Sequence, residues 1–262
     1  MRTYYAWKSG QLREIRGQVV REQPLTVFVN GQRFITLLAS PLKLDCLVVG
    51  YLWMEKVIAS PEEIRRLVVS EVDGRAEVEL GREVELPKER ILTSGCGGGI
   101  TFRIDHRLFP RIESSLRVEP ARLFDRMKEL YLRAVGYRAS RGIHGAALAD
   151  PDRILFMAED VGRHNAVDKV AGEALLQGVS LKDRILLNTG RVSSEMLLKA
   201  ARMGVPLVVS RTSPTEMAVA LAEQLGITVV GYLQHDSFNL YAGGEALVLD
   251  EARREAPSAT PA

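Results

Sequence analysis

Residues 91–102 read ILTSGCGGGITF, so Cys96 stands between Gly95 and three consecutive glycines. The chain has only two cysteines, and this one sits where the backbone is least constrained. The thiolate is the reactive form of cysteine, and nearby cations or helix termini lower its pKa. Glycines on both sides leave space for an extra sulfur atom and let the thiol move between a donor outside and an acceptor within. Two other readings stand beside this one. Cysteine replaces serine in a tight turn, or Cys96 is a hydrolase nucleophile served by His144 or His164, a pairing that spacing alone does not test. The second cysteine, Cys46, lies inside an apolar helical segment and reads as a packed, shielded thiol.

A second group of residues suits an anion. In open α/β sheets, ligands bind where strand ends lead into helix N-termini. Three such junctions carry arginine: Arg163, His164 and Asn165 after "FMAEDVG"; Thr189, Gly190, Arg191, Ser193 and Ser194 after "LLN"; Arg211, Thr212 and Ser213 after "VVS". Free N–H groups beside a guanidinium fit a phosphate or pyrophosphate. The serines have an ordinary alternative use as helix N-caps, and Ser213 with Glu216 is spaced as a capping box. The chain contains no GxxxxGK[ST] loop, no GxGxxG after a strand and no GxSxG elbow. His106, His144, His164 and His235 with Cys46 and Cys96 do not have the spacing of a metal cluster.

The elements that must position these residues fall into two patterns. "PLTVFVNGQRFITLL" predicts a hairpin about Asn30-Gly31, and "RRLVVSEVDGRAEVEL" a second about Asp73-Gly74. Between them, Leu44, Leu47, Val48, Tyr51 and Leu52 recur at helical spacing, with Ser40-Pro41 as the expected start. Beyond the glycine run, "EPARLFDRMKELYLRAVGY" carries a helical stripe of Leu123, Phe124, Met127, Leu130, Tyr131 and Ala134. "HGAALAD" and "RILFMAED" read as a strand pair turning at Asp150-Pro151-Asp152. A helix over "HNAVDKVAGEALLQG" follows, stopped by Gly178. Residues 184–233 then alternate strand, helix, strand, helix, strand, which predicts a mostly parallel sheet with covering helices. The expected organisation is a β-rich N-terminal subdomain over 1–110 that ends in the mobile Cys96 loop. An α/β domain over 111–250 and a frayed tail over 251–262 complete it.

Composition sets outer limits. The net charge of +2, from 35 basic and 33 acidic residues, does not argue for nucleic acid. The longest apolar run, Cys46 to Met54, falls far short of the ~20 residues that span a bilayer. With two cysteines and no apolar leader at the start, the expected compartment is the cytoplasm. Residues 101–141 hold ten Lys or Arg against five acids, either a solvated helix face or an attraction for a phosphorylated ligand or an acidic partner.

Several of these segments together resemble one family, the formate dehydrogenase accessory sulfurtransferases (FdhD). "EDVGRHNAVDKVAG" is similar to that family's signature, as are "HGAAL", "TGRVSSEMLLKAARMGVPLVVSRTSPTEMAVALAEQLGITVVGY" and "FNLYAG". The resemblance implies a cytidine-deaminase-like α/β core and a cytoplasmic homodimer. It implies sulfur carried as a persulfide on Cys96 from a cysteine desulfurase to the bis(molybdopterin guanine dinucleotide) cofactor of formate dehydrogenase, with GDP as a surrogate ligand. Cofactor contacts are expected from the three junctions above and from Tyr232, Leu233, Gln234, His235, Asp236 and Ser237. Asp160, His164 and Asp168 are expected to order the pocket or handle protons. The chain departs from the family where a second cysteine is common, since Gly99 stands there. A cofactor-binding chaperone that transfers no sulfur is the alternative reading. Zinc hydrolysis of the deaminase kind is not implied, because Gly145 and Ala146 follow His144 where H-x-E is needed.

Overall fold

Strands with alternating apolar residues build the first half of the chain. The computed structural model describes residues 1–17, 19–86 and 109–249, and the backbone of two short strands at 91–92 and 100–101. Cys96 and the tail from 250 onward lie outside the described residues. Strands β1 (Arg2–Lys8) and β2 (Gln11–Gly17) pair antiparallel as a two-stranded sheet of their own. This hairpin was not expected from the sequence, where charged residues on both strands mask the alternation. Its turn residues Ser9 and Gly10 take positive φ (51° and 80°), the geometry that suits a two-residue hairpin.

Strands β3 (Gln23–Val29) and β4 (Gln32–Ala39) meet at Asn30-Gly31 as expected. Helix α1 (Leu44–Met54) comes next, then the expected hairpin of β5 (Ile64–Ser70) and β6 (Arg75–Leu80). A parallel β3–β6 pairing joins the two hairpins in the order β4-β3-β6-β5. Leu25, Val27 and Val29 of β3 pack with Phe34, Leu47 and Leu52 in one core. The helix begins at Leu44 behind Lys43, whose φ is 51°, and not at Ser40-Pro41. Ser40 is buried and bonded to the second half of the chain instead. Short strands β7 (Ile91–Leu92) and β8 (Ile100–Thr101) pair antiparallel.

The second half is a six-stranded sheet with helices on both faces. Helices α2 (Pro120–Arg133) and α3 (Val135–Ser140) precede strands β9 (His144–Ala149) and β10 (Ile154–Asp160). Helix α4 (Arg163–Leu176), β11 (Ile185–Asn188), α5 (Ser194–Met203), β12 (Leu207–Ser210), α6 (Glu216–Leu225), β13 (Thr228–Gln234) and β14 (Ser237–Ala242) complete it. The order is β10-β9-β11-β12-β13-β14. Only β11, β12 and β13 run parallel, which corrects the expectation of a mostly parallel sheet. Tight hairpin connections force β9–β10 and β13–β14 antiparallel. Helices α4, α5 and α6 share one core with one face of the sheet, and α2 packs on the other. The expected Ser213–Glu216 capping box does not form; Thr215 caps α6 and accepts from the Ala218 N–H. No described helix is long and apolar enough to cross a membrane.

Helices α1 and α4 cross without side chains between them. A Cβ placed on Gly50 would fall within the Asp168 carbonyl, and one on Gly172 within the Cys46 carbonyl. Glycine at both positions lets the two backbones touch, so the first sheet is clamped to the second through this crossing. Gly50→Ala is expected to lower unfolding stability by roughly 2 kcal/mol or more, read as a fall in urea midpoint. An unchanged midpoint would show that the helices part at no cost.

Candidate functional site

One edge of the six-stranded sheet gathers the sequence-predicted residues. Asn188 at the end of β11 lies beside Ala146 and Ser210, and Asp160 at the end of β10 beside His144. Ala146, Ala158, Leu186 and Val208 face the core under α4, α5 and α6. Two residues along each strand, His144, Asp160, Asn188 and Ser210 therefore face the same side, toward the N-termini of α4 and α5.

The loops leaving this edge are tied to one another. The Thr189 hydroxyl accepts from the Gly145 N–H (3.0 Å), and the Thr189 N–H donates to the Gly145 carbonyl. The Ser210 hydroxyl donates to the Gly190 carbonyl (2.7 Å) and accepts from the Thr212 N–H. Val192 donates to the Ser213 carbonyl, Thr215 to Val192, and Tyr232 to Thr212. Ser193 caps α5, accepting from Met196. Gly190 threads between two side chains, since a Cβ there would lie 3.0 Å from His144 Nδ1 and 3.2 Å from Arg163 Cβ.

Asp160 and Asp168 are structural anchors. Asp160 is fully buried and meets Lys169 Nζ (2.6 Å), the Ser40 and Gly162 N–H groups and the Asn165 amide. Lys169 also donates to the Ser40 carbonyl (3.0 Å). Asp168 meets Lys199 at 2.5 Å, both buried. Burial pushes the Asp168 carboxyl up, opposed by Lys199, and burial pushes Lys169 down, opposed by Asp160. Of the two roles expected for these aspartates, their contacts fit ordering of the pocket.

His164 Nε2 lies 3.2 Å from Glu195 Oε2 and 3.4 Å from the Ser193 hydroxyl. Burial holds its pKa below 6.5, opposed by a hydrogen bond to Glu195. His144 is held low too, by burial first and then by Arg163. Both rings are neutral near pH 7. His144 Nδ1 and Asn188 Oδ1 are buried without a hydrogen-bond partner among the described residues.

Arg163 is buried, whereas Arg191 is exposed at the start of its loop. The Arg211 guanidinium lies 5.0 Å over the Tyr131 ring, and Arg141 lies 5.6 Å over Tyr137. The two tyrosine rings meet edge-on at 6.3 Å. Tyr131 was expected only as part of the helical stripe and Tyr137 was not singled out, although the basic surplus of 101–141 pointed to this region. The Tyr232–Ser237 stretch forms the tip of the β13–β14 hairpin, with Gln234 opposite Ser237. Tyr232, Gln234, His235, Asp236 and Ser237 are exposed there, but the Leu233 side chain is buried in the core. Leu233 has only its backbone to offer a ligand.

Cys46 is buried against the α1–α4 crossing, and its thiol is pushed up to about 12, by burial first and then by Asp45. The shielded thiol expected from the sequence is what the structure shows.

Comparison with known proteins adds a family. The FdhD/NarQ family model matches residues 20–248. Sulfur carrier protein FdhD of Bacillus subtilis (strain 168) is 36% identical over 253 residues, covering 94% of this chain and 97% of that protein. Its counterpart from Bacillus pumilus (strain SAFR-032) is 38% identical over 246 residues, covering 92% and 94%. A solved structure assigned as a formate dehydrogenase accessory protein from Desulfotalea psychrophila superposes with a TM-score of 0.79 at 29% identity, covering 95% and 98%.

The low histidines give stability a pH dependence. Unfolded histidine protonates near pH 6.5, whereas His144 and His164 in the fold resist protonation. Their contribution is complete above pH 6.5 and is lost as pH falls from there through the lower folded values. Between pH 7.5 and 5.5, His164→Gln is expected to lose less stability than the native chain, by of order 1 kcal/mol. Parallel urea midpoints in both proteins would contradict the buried neutral imidazole.

Proposed function

The chain belongs to the FdhD/NarQ family, and from that membership and the geometry of the strand-end site we propose that it is a sulfur carrier for formate dehydrogenase, relaying persulfide sulfur through Cys96. One observation carries the choice of residue. The chain has two cysteines, and Cys46 is buried with its pKa near 12, so almost none of it is thiolate at neutral pH. Cys96 is the thiol that remains. Its thiolate attacks the terminal sulfur of a persulfide on a cysteine desulfurase, the donor's S–S bond breaks, and the donor cysteine leaves as thiolate. The outer sulfur would then pass to the bis(molybdopterin guanine dinucleotide) cofactor bound as client, the Cys96 S–S bond breaking, Cys96 leaving as thiolate and the client's metal supplying the two electrons that bring the sulfur to the sulfide level.

The strand-end residues supply the client's seat. Phosphates are held by the N–H groups at the starts of α4 and α5 with Arg191, Arg163 and Arg211. The unpartnered His144 Nδ1 and Asn188 Oδ1 suit the polar edge of a heterocycle. The mixed sheet with helices on both faces supports the cytidine-deaminase-like core, and the absent glutamate after His144 keeps that core from zinc hydrolysis. A homodimer in the cytoplasm completes the reading. The single cysteine of Cys96-Gly97-Gly98-Gly99 also favours a second reading, a cofactor-binding chaperone that transfers no sulfur.

One loading experiment separates the two. After incubation with a cysteine desulfurase and cysteine, intact mass is expected to rise by one sulfur atom in the native chain and in Cys46→Ala, but not in Cys96→Ala. Equal gain in all three would remove Cys96 from the relay, and no gain in any would leave the chaperone. For the seat, GDP is expected to bind about ten-fold or more weakly to Arg191→Ala, measured by calorimetry. Undiminished affinity would refute the phosphate assignment.

A further inference from the structure

The β1–β2 hairpin is the part of the chain that the site does not use. It lies outside residues 20–248 that the family model matches, and it pairs with no other described strand. A lone two-stranded hairpin is marginal in water, and three or more strands with an apolar face are needed for independent stability. Here Tyr5, Trp7 and Leu12 lie on one face with 63%, 71% and 62% of their surface exposed. Trp7 stands directly opposite Leu12. On the other face Tyr4 lies across from Ile15 and covers Gly17, where a Cβ would come within 2.9 Å of the ring. The arm is ordered within itself yet has no partner strand among the described residues beyond its own pair.

We propose that β2 pairs antiparallel with β2 of a second copy of this chain, about a two-fold axis through Ile15, so that two arms form one four-stranded sheet. Charge selects both the strand and the register. A two-fold axis normal to the sheet sets residue i opposite a residue of equal parity on the other copy. An axis at Arg13, Glu14 or Arg16 would set each of those charges against itself. An axis at Ile15 sets Glu14 against Arg16 of the partner subunit twice, and Arg13 against the partner's Gly17, with no like charges opposed. Opposite charges on facing strands stabilise the pair, and like charges weaken it. Strand β1 has no equivalent solution, because its only charges, Arg2 and Lys8, are both basic, so no register sets opposite charges against each other. Backbone geometry agrees with the choice. The two-residue turn makes Lys8–Gln11 a hydrogen-bonded pair, so Glu14 and Arg16 turn their backbone N–H and C=O groups away from β1, toward an incoming strand.

The inference gives the expected homodimer a surface and does not rest on the sulfur-carrier reading. Its test is a charge exchange in the full chain. Sedimentation velocity across a dilution series is expected to show a dimer for the native protein. Glu14→Arg is expected to weaken the dimer about ten-fold or more, as is Arg16→Glu. The double variant E14R/R16E restores opposite charges at both contacts and is expected to recover the dimer, which a merely damaged arm would not do. A native chain that stays monomeric, single variants that dimerise as before, or a folded double variant that fails to recover would each overturn the proposal. Persulfide loading at Cys96 in the same samples reads out the sulfur-carrier function separately.

Discussion

The contact between α1 and α4 is the constraint on which the rest of the molecule depends. Two glycines, Gly50 and Gly172, allow backbone to touch backbone, and the order around them follows from that closeness. Beside the crossing, Asp168 of α4 reaches Lys199 of α5, and Lys169 of α4 reaches Asp160 at the end of β10. Ser40, at the end of the first sheet, is drawn into the same network. Its N–H donates to Asp160, its carbonyl accepts from Lys169 and its hydroxyl accepts from Val161. Buried ion pairs add little net stability because desolvation offsets their attraction, but removing one partner costs about 3–5 kcal/mol. Their effect here is positional. They hold the start of α4, and with it Arg163 and His164, at a set distance from the strand ends.

The same crossing decides the chemistry of sulfur in this chain. Cys46 lies on α1 at the contact, where burial and the Asp45 and Glu173 carboxylates keep its thiol protonated. Packing that stabilises the fold therefore silences one of the two cysteines. A carrier with two competent thiols could close a disulfide and lose its cargo. Under the proposed relay, an inert Cys46 would leave a persulfide on Cys96 with no thiolate from Cys46 to attack it.

Local signals made much of this legible in the sequence. Asn30-Gly31 and Asp73-Gly74 announce their hairpins because few other residues tolerate the turn geometry. The strand–helix alternation of residues 184–233 marks Thr189, Gly190, Arg211 and Thr212 as strand-end residues, whereas Asn188 and Ser210, the last residues of their strands, were not singled out. Sequence reasoning failed where tertiary contacts override local preference. Ser40-Pro41 has the chemistry of a helix start, yet Ser40 is consumed by Asp160 and Lys169, over a hundred residues away. Ser213 and Glu216 have capping-box spacing, but the Val192–Ser213 bond carries the chain past Ser213 and leaves Thr215 to cap. Leu233 sits within the Tyr232–Ser237 stretch expected to contact the cofactor, yet strand alternation turns its side chain into the core. The stacking of Arg211 on Tyr131 joins residues eighty positions apart, and no periodicity in the sequence announces it.

The electrostatics of the strand-end site follow from what is already paired. Asp160 and Asp168 are neutralised by Lys169 and Lys199, and His144 and His164 are held uncharged by burial. Positive charge at this edge therefore comes from arginines. Arg191 is exposed and Arg211 lies against an aromatic ring, so each presents a planar cation at a different depth. The proposed client, with phosphates at one end and a flat heterocycle at the other, would meet both charge and ring surface there. The loops carrying these groups are bonded to one another through Thr189, Ser210 and Thr212. These loops are therefore ordered by their own bonds, and a ligand seated there would lose little conformational entropy in binding.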